Sequence, residues 1–495
     1  MPVDTPPEEG LGLERSGTPA VYFTYDGDPL LSFGGMSDFT FYAGRETYDY
    51  VQWADWAEAH GMNHVRAYLP TSWRYIEHFV KENGGDLDTV QFPYEETSPG
   101  SRTFDLGRLN EEYWDRFHDQ CAYLAEKGIV VHLLLVNGWH ISNHIASPDA
   151  LNWGGHFFNP ENNVNAATDH LAENRYGFYF SVANDHSELV AAQKRFLRRA
   201  VAETASLGNV YYDLVHELHP NLWLDDRTET WSDLGAWIEE MAGAVRNHWD
   251  ELVSDRPCLI GQDTSKMSDE HVDWVLSREF LDLAIYGRIH SVDRARSWRE
   301  EYGKPYIPQE SIDDTGDKYS YREPNQRVHI RKYVWKFMFA KCQQIDLYVK
   351  ERTEGMSPNV GVTQPPGKPH SYDPNGWNQF ESDAVVLREF WDALEDYPNL
   401  DFAGTVDDGP GDQQYVLSSK TEAIVYCSSP STEEGVTYPA SELRLSSLAL
   451  ADGSYSVDIV DPTDGLVSTR DRRVFNGALS LDIDSWTDDV AVHLH

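Results

Sequence analysis

The sequence predicts an α/β protein: a (β/α)8 TIM barrel of parallel strands followed by a C-terminal all-β sandwich. Three observations predict it. Helix-period text, then a glycine, then a short apolar run recurs along residues 21–398. The chain, 495 residues long, is too large for one ordinary domain but suits a barrel with long loops and a small appendix. From about Phe402 the text changes to short alternating segments divided by turn residues.

Residues 1–20 are rich in Pro, Glu and Gly and read as an N-terminal arm. Val21–Phe23 and Leu30–Phe33, divided by Asp26-Gly27-Asp28-Pro29, read as a hairpin or a strand entering the barrel. The first barrel strand falls near Leu31–Gly35. Helical text at Tyr48–His60 leads through Gly61 to His64–Leu69, and Glu111–Lys127 leads through Gly128 to Ile129–Val136. Glu188–Leu207 leads through Gly208 to Val210–Glu217. Trp231–Trp249 precedes Pro257–Gln262, and His271–Leu276 precedes Leu281–Tyr286. Asp293–Tyr302 leads through Gly303 to Pro305–Glu310, and Val328–Lys341 leads to Gln343–Val349, with 379–396 as the eighth helix. Glycine at these joints suits the left-handed residue that ends many helices. Eight strands favour a closed barrel over an open doubly wound sheet, and no G-x-G-x-x-G follows the first strand. The insert Asn137–Ser187 follows the third strand, on the face where barrel loops build sites; a second insert, Glu351–Trp377, follows the eighth. Gln414–Ser418, Ala423–Cys427, Ser454–Ile459, Ala478–Ile483 and Val490–His493 make up the expected sandwich, residues 402–495.

Hydrophobic residues at 40% and aromatics at 13% supply a core and argue against disorder. The charge is extreme: 40 Lys+Arg against 82 Asp+Glu leave −42. A phosphate backbone would be repelled, so nucleic acid is not an expected partner, and anionic membranes are disfavoured for the same reason. The acids are scattered and Arg outnumbers Lys, a composition resembling that of salt-accumulating halophiles, where salt screens self-repulsion. Asp313-Asp314-Thr315-Gly316-Asp317 is the one stretch that tempts a calcium reading; no metal and no cofactor are expected. Cys121, Cys258, Cys342 and Cys427 lie in apolar or helical runs without C-x-x-C spacing, as buried free thiols would. Met1-Pro2-Val3-Asp4 lacks a basic and an apolar leader region, and no run of about 20 apolar residues occurs. The cytoplasm of a salt-accumulating cell is therefore preferred to secretion; oligomeric state stays open.

Two carboxylates stand out. Val210-Tyr211-Tyr212-Asp213-Leu214-Val215-His216-Glu217 and Lys304-Pro305-Tyr306-Ile307-Pro308-Gln309-Glu310 each end a strand-like run in glutamate. Burying even a neutral polar group without a partner costs about 2–7 kcal/mol, so packing explains such an ending poorly. In a parallel barrel both ends open at one mouth, where two carboxyl groups flanking a sugar linkage carry out glycoside hydrolysis. Asn137, Trp139, His140 and His144 open the third loop, and Trp153, Trp223 and Trp377 are further stacking candidates against ordinary packing. His140 with His144, and His216-Glu217-Leu218-His219, raise a metal-dependent hydrolase as an alternative. H-E-x-x-H needs one more residue and a helix, so His140 is preferred as a sugar hydrogen-bonder.

Gly61-Met62-Asn63-His64-Val65-Arg66, Tyr212–Glu217 and Gly303–Glu310 resemble strands two, four and seven of the retaining (β/α)8 glycoside hydrolases with catalytic glutamates on strands four and seven. The opening Tyr22–Leu30, and the ending Phe390–Leu400 with Asp458–Gly465, are similar to apiosidase-like barrel proteins, whose C-terminal β domain is often labelled collagen-binding. The resemblance covers most of residues 20–495. It implies Glu310 as nucleophile, Glu217 as general acid and then base, and Arg66 and Tyr286 against the nucleophile, with the carboxyls about 5–5.5 Å apart. It also implies an asparagine before the acid/base that holds the sugar 2-hydroxyl; here His216 stands in that place, able to donate but different in shape and charge. The eighth strand lacks the tryptophan expected at its end. The implied substrate is a carbohydrate, a β-linked glycan of glucan or mannan type. A barrel that binds carbohydrate without cleaving it is the other alternative, and Glu217, Glu310, Arg66 and Tyr286 together argue against it.

Overall fold

The computed structural model describes residues 10–16, 20–36, 40–42, 44, 49–59, 61–82, 85–142, 150–220, 228–286, 292–308, 324–347, 385–430 and 435–495. Eight strands, each followed by a helix, build the larger unit. They are β1 (Ser32–Met36), β2 (His64–Tyr68), β3 (Val130–Asn137), β4 (Val210–His216), β5 (Ile260–Asp263), β6 (Leu283–Tyr286), β7 (Tyr306–Pro308) and β8 (Gln344–Leu347). Their order is β7-β6-β5-β4-β3-β2-β1-β8 with every pairing parallel, and β7 lies beside β8, so the sheet closes into the expected barrel. Every residue of β2, β3 and β4 is buried, as strands covered on both faces must be.

The helices that wrap the barrel are α1 (Tyr50–Ala59), α2 (Glu111–Glu126), α3 (Ser187–Thr204), α4 (Trp231–Leu252), α5 (Asp269–Leu276), α6 (Val292–Tyr302) and α7 (Pro324–Phe339), with a further helix at 385–392. Gly61, Gly128, Gly208 and Gly303 adopt φ of 71°, 66°, 74° and 62° where helix text gives way to strand, which is why each joint is a glycine. No described helix is long and apolar enough to cross a membrane.

The expected arm is partly a strand. Leu11–Ser16 pairs antiparallel with Ala20–Tyr25, and the Leu11 amide donates to the Gly208 carbonyl at 2.8 Å. Leu11 packs with Phe23, Leu30, Val130, Tyr211, Leu283 and Ile307, an apolar plug at the strands' N-terminal ends. The Pro, Glu and Gly around it concealed the alternation of Leu11 and Leu13.

After the barrel come two larger antiparallel sheets and a two-stranded one that pairs Thr437–Tyr438 with Trp486–Thr487. Of the larger two, one joins Thr405–Asp408, Ser441–Ser446 and Leu479–Ile483; the other joins Gln413–Ser418, Ala423–Ser428, Asp489–Leu494, Gly453–Val460 and Val467–Val474. A second apolar cluster including Val425, Leu443, Leu481 and Val492 lies between them. Helix α7 joins the two units: Trp335 stacks on Tyr426 at 5.6 Å, and Arg331 grips Asp489 through bonds of 2.6 and 3.1 Å. All four cysteines are buried and unbridged.

Candidate active site at the C-terminal mouth of the barrel

The interior of this barrel is polar toward its C-terminal end. β2 contributes Arg66, fully buried, whose guanidinium donates to the Tyr68 hydroxyl at 3.2 Å. β3 contributes His132, stacked on Tyr211 of β4 at 4.6 Å, and ends in Asn137, whose register partner is His216. Asn137 is fully buried, and neither of its amide atoms finds a hydrogen-bond partner among the described residues. A short helix, Gly138–Ser142, follows at once.

Glu217 comes directly after β4. It is 7% exposed and holds φ of 49°, a left-handed backbone that non-glycine residues adopt rarely. Lys266, from the loop after β5, reaches Glu217 Oε1 at 3.1 Å. Asp263, the last residue of β5, lies beneath. Its Oδ2 accepts from the Glu217 amide at 2.7 Å and sits 3.1 Å from His216 Nδ1, while its Oδ1 accepts from the Ser265 amide at 2.7 Å. The Asp263 amide donates to Asp213 Oδ1 at 3.0 Å.

The charges in this group are set by burial and by one another. Burial disfavours a charged His216 most strongly, but its hydrogen bond to Asp263 together with the Glu217 and Asp263 charges outweighs that and holds the imidazole above its ordinary value. Burial likewise opposes an ionised Asp263, yet the bond from His216 and the donated amides keep its carboxyl below the usual range. Asp213 goes the other way: burial and the adjacent Asp263 charge push it up to about 8. Burial and mutual charge thus favour the ion-paired form of Asp263 and His216 and hold Asp213 toward its neutral form. Asp213, His216 and Asp263 offer ligand atoms within 4.8 Å of one another, and His132 Nε2 lies 3.8 Å from Asp213 Oδ2.

The third loop brings Trp139 and His140 to the same end. His140 is fully buried, its Nδ1 2.7 Å from the Thr71 hydroxyl, and burial drives its pKa well down, so the ring is neutral. Trp139 is 4% exposed and packs edge-on against Tyr75 at 5.0 Å and Tyr68 at 6.4 Å. Trp153 stacks on His156 at 5.1 Å. Tyr286 closes β6, as expected of its backbone. Glu310, Trp223, His144, Trp377, Asp313–Asp317 and the insert Glu351–Trp377 lie outside the described residues. β7, which precedes Glu310 in the sequence, ends at Pro308, at the mouth where β4 ends in His216.

The structure therefore gathers Arg66, Asn137, Trp139, His140, His216 and Glu217 at one end of the barrel, and adds Asp263 and Lys266, which sequence reasoning missed. Asp263 carries the same signal that marked Glu217, a carboxylate at a strand's end; the expected strand stopped one residue short, at Gln262.

No protein-family model matches the sequence, and no curated protein matches it. Solved structures do match in three dimensions. A structure described as a glycoside hydrolase superposes with a TM-score of 0.58 at 12% identity, covering 98% of this chain and 96% of that one. A glycoside hydrolase family 5 structure from Bacteroides vulgatus superposes with a TM-score of 0.58 at 13% identity, covering 98% of this chain and 93% of the other. The chain shares their fold along nearly its whole length.

Proposed function

We propose that the protein is a retaining O-glycoside hydrolase of β-linked glycans, with Glu217 as general acid and then base, and Glu310 as nucleophile. The observation that carries this reading is Glu217 itself: a nearly buried carboxylate at the end of β4, in a left-handed backbone held by Asp263 and contacted by Lys266. Packing has no use for such a group, whereas a sugar-cleaving site does. That the two solved structures reported above bear the name glycoside hydrolase supports the reading, and Arg66 inside β2 is a cation of the kind a carboxylate nucleophile needs. The resemblance of both chain ends to apiosidase-like proteins supports the finer assignment, and the acidic composition supports work in concentrated salt.

In the first step Glu310 attacks the anomeric carbon while Glu217 protonates the leaving oxygen; in the second, Glu217 takes a proton from the incoming water. Lys266 stabilises the carboxylate form, which the second step uses, so it must loosen when substrate enters. The test is hydrolysis of a panel of β-linked polysaccharides and aryl glycosides in multimolar KCl. Glu217→Gln and Glu310→Gln are each expected to lower kcat by at least about 10²–10⁴-fold, with chelator harmless. Activity surviving both substitutions would overturn the assignment.

A further inference from the structure

Asp263 makes more hydrogen bonds than its packing calls for. It is fully buried, and its two oxygens meet three nitrogens: the Glu217 amide at 2.7 Å, His216 Nδ1 at 3.1 Å and the Ser265 amide at 2.7 Å. Its own amide is tied to Asp213 Oδ1 at 3.0 Å, which fixes the strand end from the other side. Two of the three donors belong to consecutive residues, one of them the proposed acid/base. We infer that Asp263 is a positioning residue that fixes the protonated Nδ1 of His216 and clamps the Glu217 backbone, so setting where the acid/base carboxyl sits.

Chemistry favours this over a packing role. An ionised carboxylate only accepts, so any ring nitrogen in hydrogen-bond contact with it must carry hydrogen. A left-handed non-glycine residue costs of order 1–3 kcal/mol and persists where its surroundings over-determine it; the short bond from the Glu217 amide to Asp263 does so here. One carboxylate oxygen thus couples the ring before the acid/base to the backbone of the acid/base itself. The clamp's catalytic meaning rests on the hydrolase reading above; the clamp as such does not.

Among the described residues, those that face His216 are Arg66 and the Tyr68 ring from β2, His132 from β3, His140 from the helix after it, Asp213 of β4, Glu217 just after it, and Asp263. Among the described residues the Glu217 and Asp263 carboxylates favour its charge, and Asp263 is hydrogen-bonded to it. The His216 charge is therefore present at low pH and lost as pH rises through its raised value. Without Asp263 the loss moves to lower pH.

The experiment uses the full chain, labelled with 15N-histidine, in concentrated KCl. Long-range 1H–15N correlation reads the protonation of each ring nitrogen, and His216→Gln identifies the signal. In the parent protein His216 is expected to keep Nδ1 protonated across the titration. In Asp263→Asn the side-chain amide can donate to Nδ1, so the Nδ1 proton is expected to be lost and the midpoint to fall. On a substrate found in the panel, Asp263→Asn is expected to lower kcat about 100-fold, with a much smaller change in KM and a shifted kcat pH profile. A neutral His216 with bare Nδ1 in the parent protein would overturn the clamp without any variant. So would an Asp263→Asn protein with unchanged tautomer and kcat, or a stoichiometric metal ion bound by Asp263. If no glycan is hydrolysed, the hydrolase reading falls while the spectrum still decides the clamp.

Discussion

Gly138 shows how closely β3 and β4 approach at the mouth. A Cβ built on it would lie 2.6 Å from the His216 carbonyl oxygen and 2.8 Å from that of Glu217. Both are backbone atoms, so relief requires moving the segment that carries the acid/base. Gly138→Ala is expected to fold yet lose about 100-fold in kcat/KM, since a shift of about 1 Å at a reacting group can have that effect. Kinetics beside a melting curve check it; unchanged kinetics would mean that the end of β4 is not fixed by this contact. At this scale the sequence was partly legible. Glu217 could be placed because a carboxylate ending an apolar run has few structural uses, whereas Arg66 and His216 were legible only through the resemblance of their strands to a known family. Asp263 escaped because strand boundaries are uncertain by a residue or two. Lys266 lies in a loop, where no periodicity says which way a side chain points. Trp139 was legible as a residue of this end but not in its packing, because an aromatic suits a sugar face and a core equally well.

Among the elements, α7 bears the most weight, since it faces both the barrel and the sandwich. Arg331 and Asp489 are 2% and 1% exposed, and the Tyr426 hydroxyl also donates to Asp489, at 2.8 Å. Breaking a buried pair by removing one partner costs about 3–5 kcal/mol, because the other charge stays buried, whereas replacing both with apolar residues can be neutral. Arg331→Met is therefore expected to destabilise by about that amount, and Arg331→Met with Asp489→Leu to recover most of it. Urea unfolding of the three proteins measures this; equal loss in the single and double variants would show that the joint depends on ionic specificity. Helix, glycine and strand in repetition made the barrel readable, since a positive-φ joint and a buried parallel strand each leave a mark in sequence. Val467–Val474 left none, because it is mostly exposed with charged residues in its middle, as edge strands that discourage further pairing often are. The joint through α7 was unreadable too, since pairing across more than 150 positions is a product of the folded chain.

At the scale of the whole molecule the scarce cations are shared. Arg102 bridges Glu77 and Glu96, Lys127 bridges Asp55 and Glu58, and Arg199 bridges Glu111 and Glu203. Salt acts on such a surface in two directions. It weakens these exposed pairs, each worth about 0–1 kcal/mol, and it screens the repulsion among the remaining acids. Acids outnumber bases 82 to 40, so repulsion has the larger share and screening should win. The screening length falls from ~10 Å at 0.1 M to ~3 Å at 1 M, which brings it below the spacing of most surface charges. The melting temperature is accordingly expected to climb steeply as KCl rises through this range. Lowering the pH toward the carboxylate range should flatten the climb, because protonated acids no longer repel. Calorimetry across KCl concentrations at two pH values checks both halves. A flat response at neutral pH would mean that the folded chain already accommodates its charge, and that the acidic surface serves solubility rather than a salty solvent. A climb that persisted unchanged at low pH would point to salt acting on apolar burial instead of on charge.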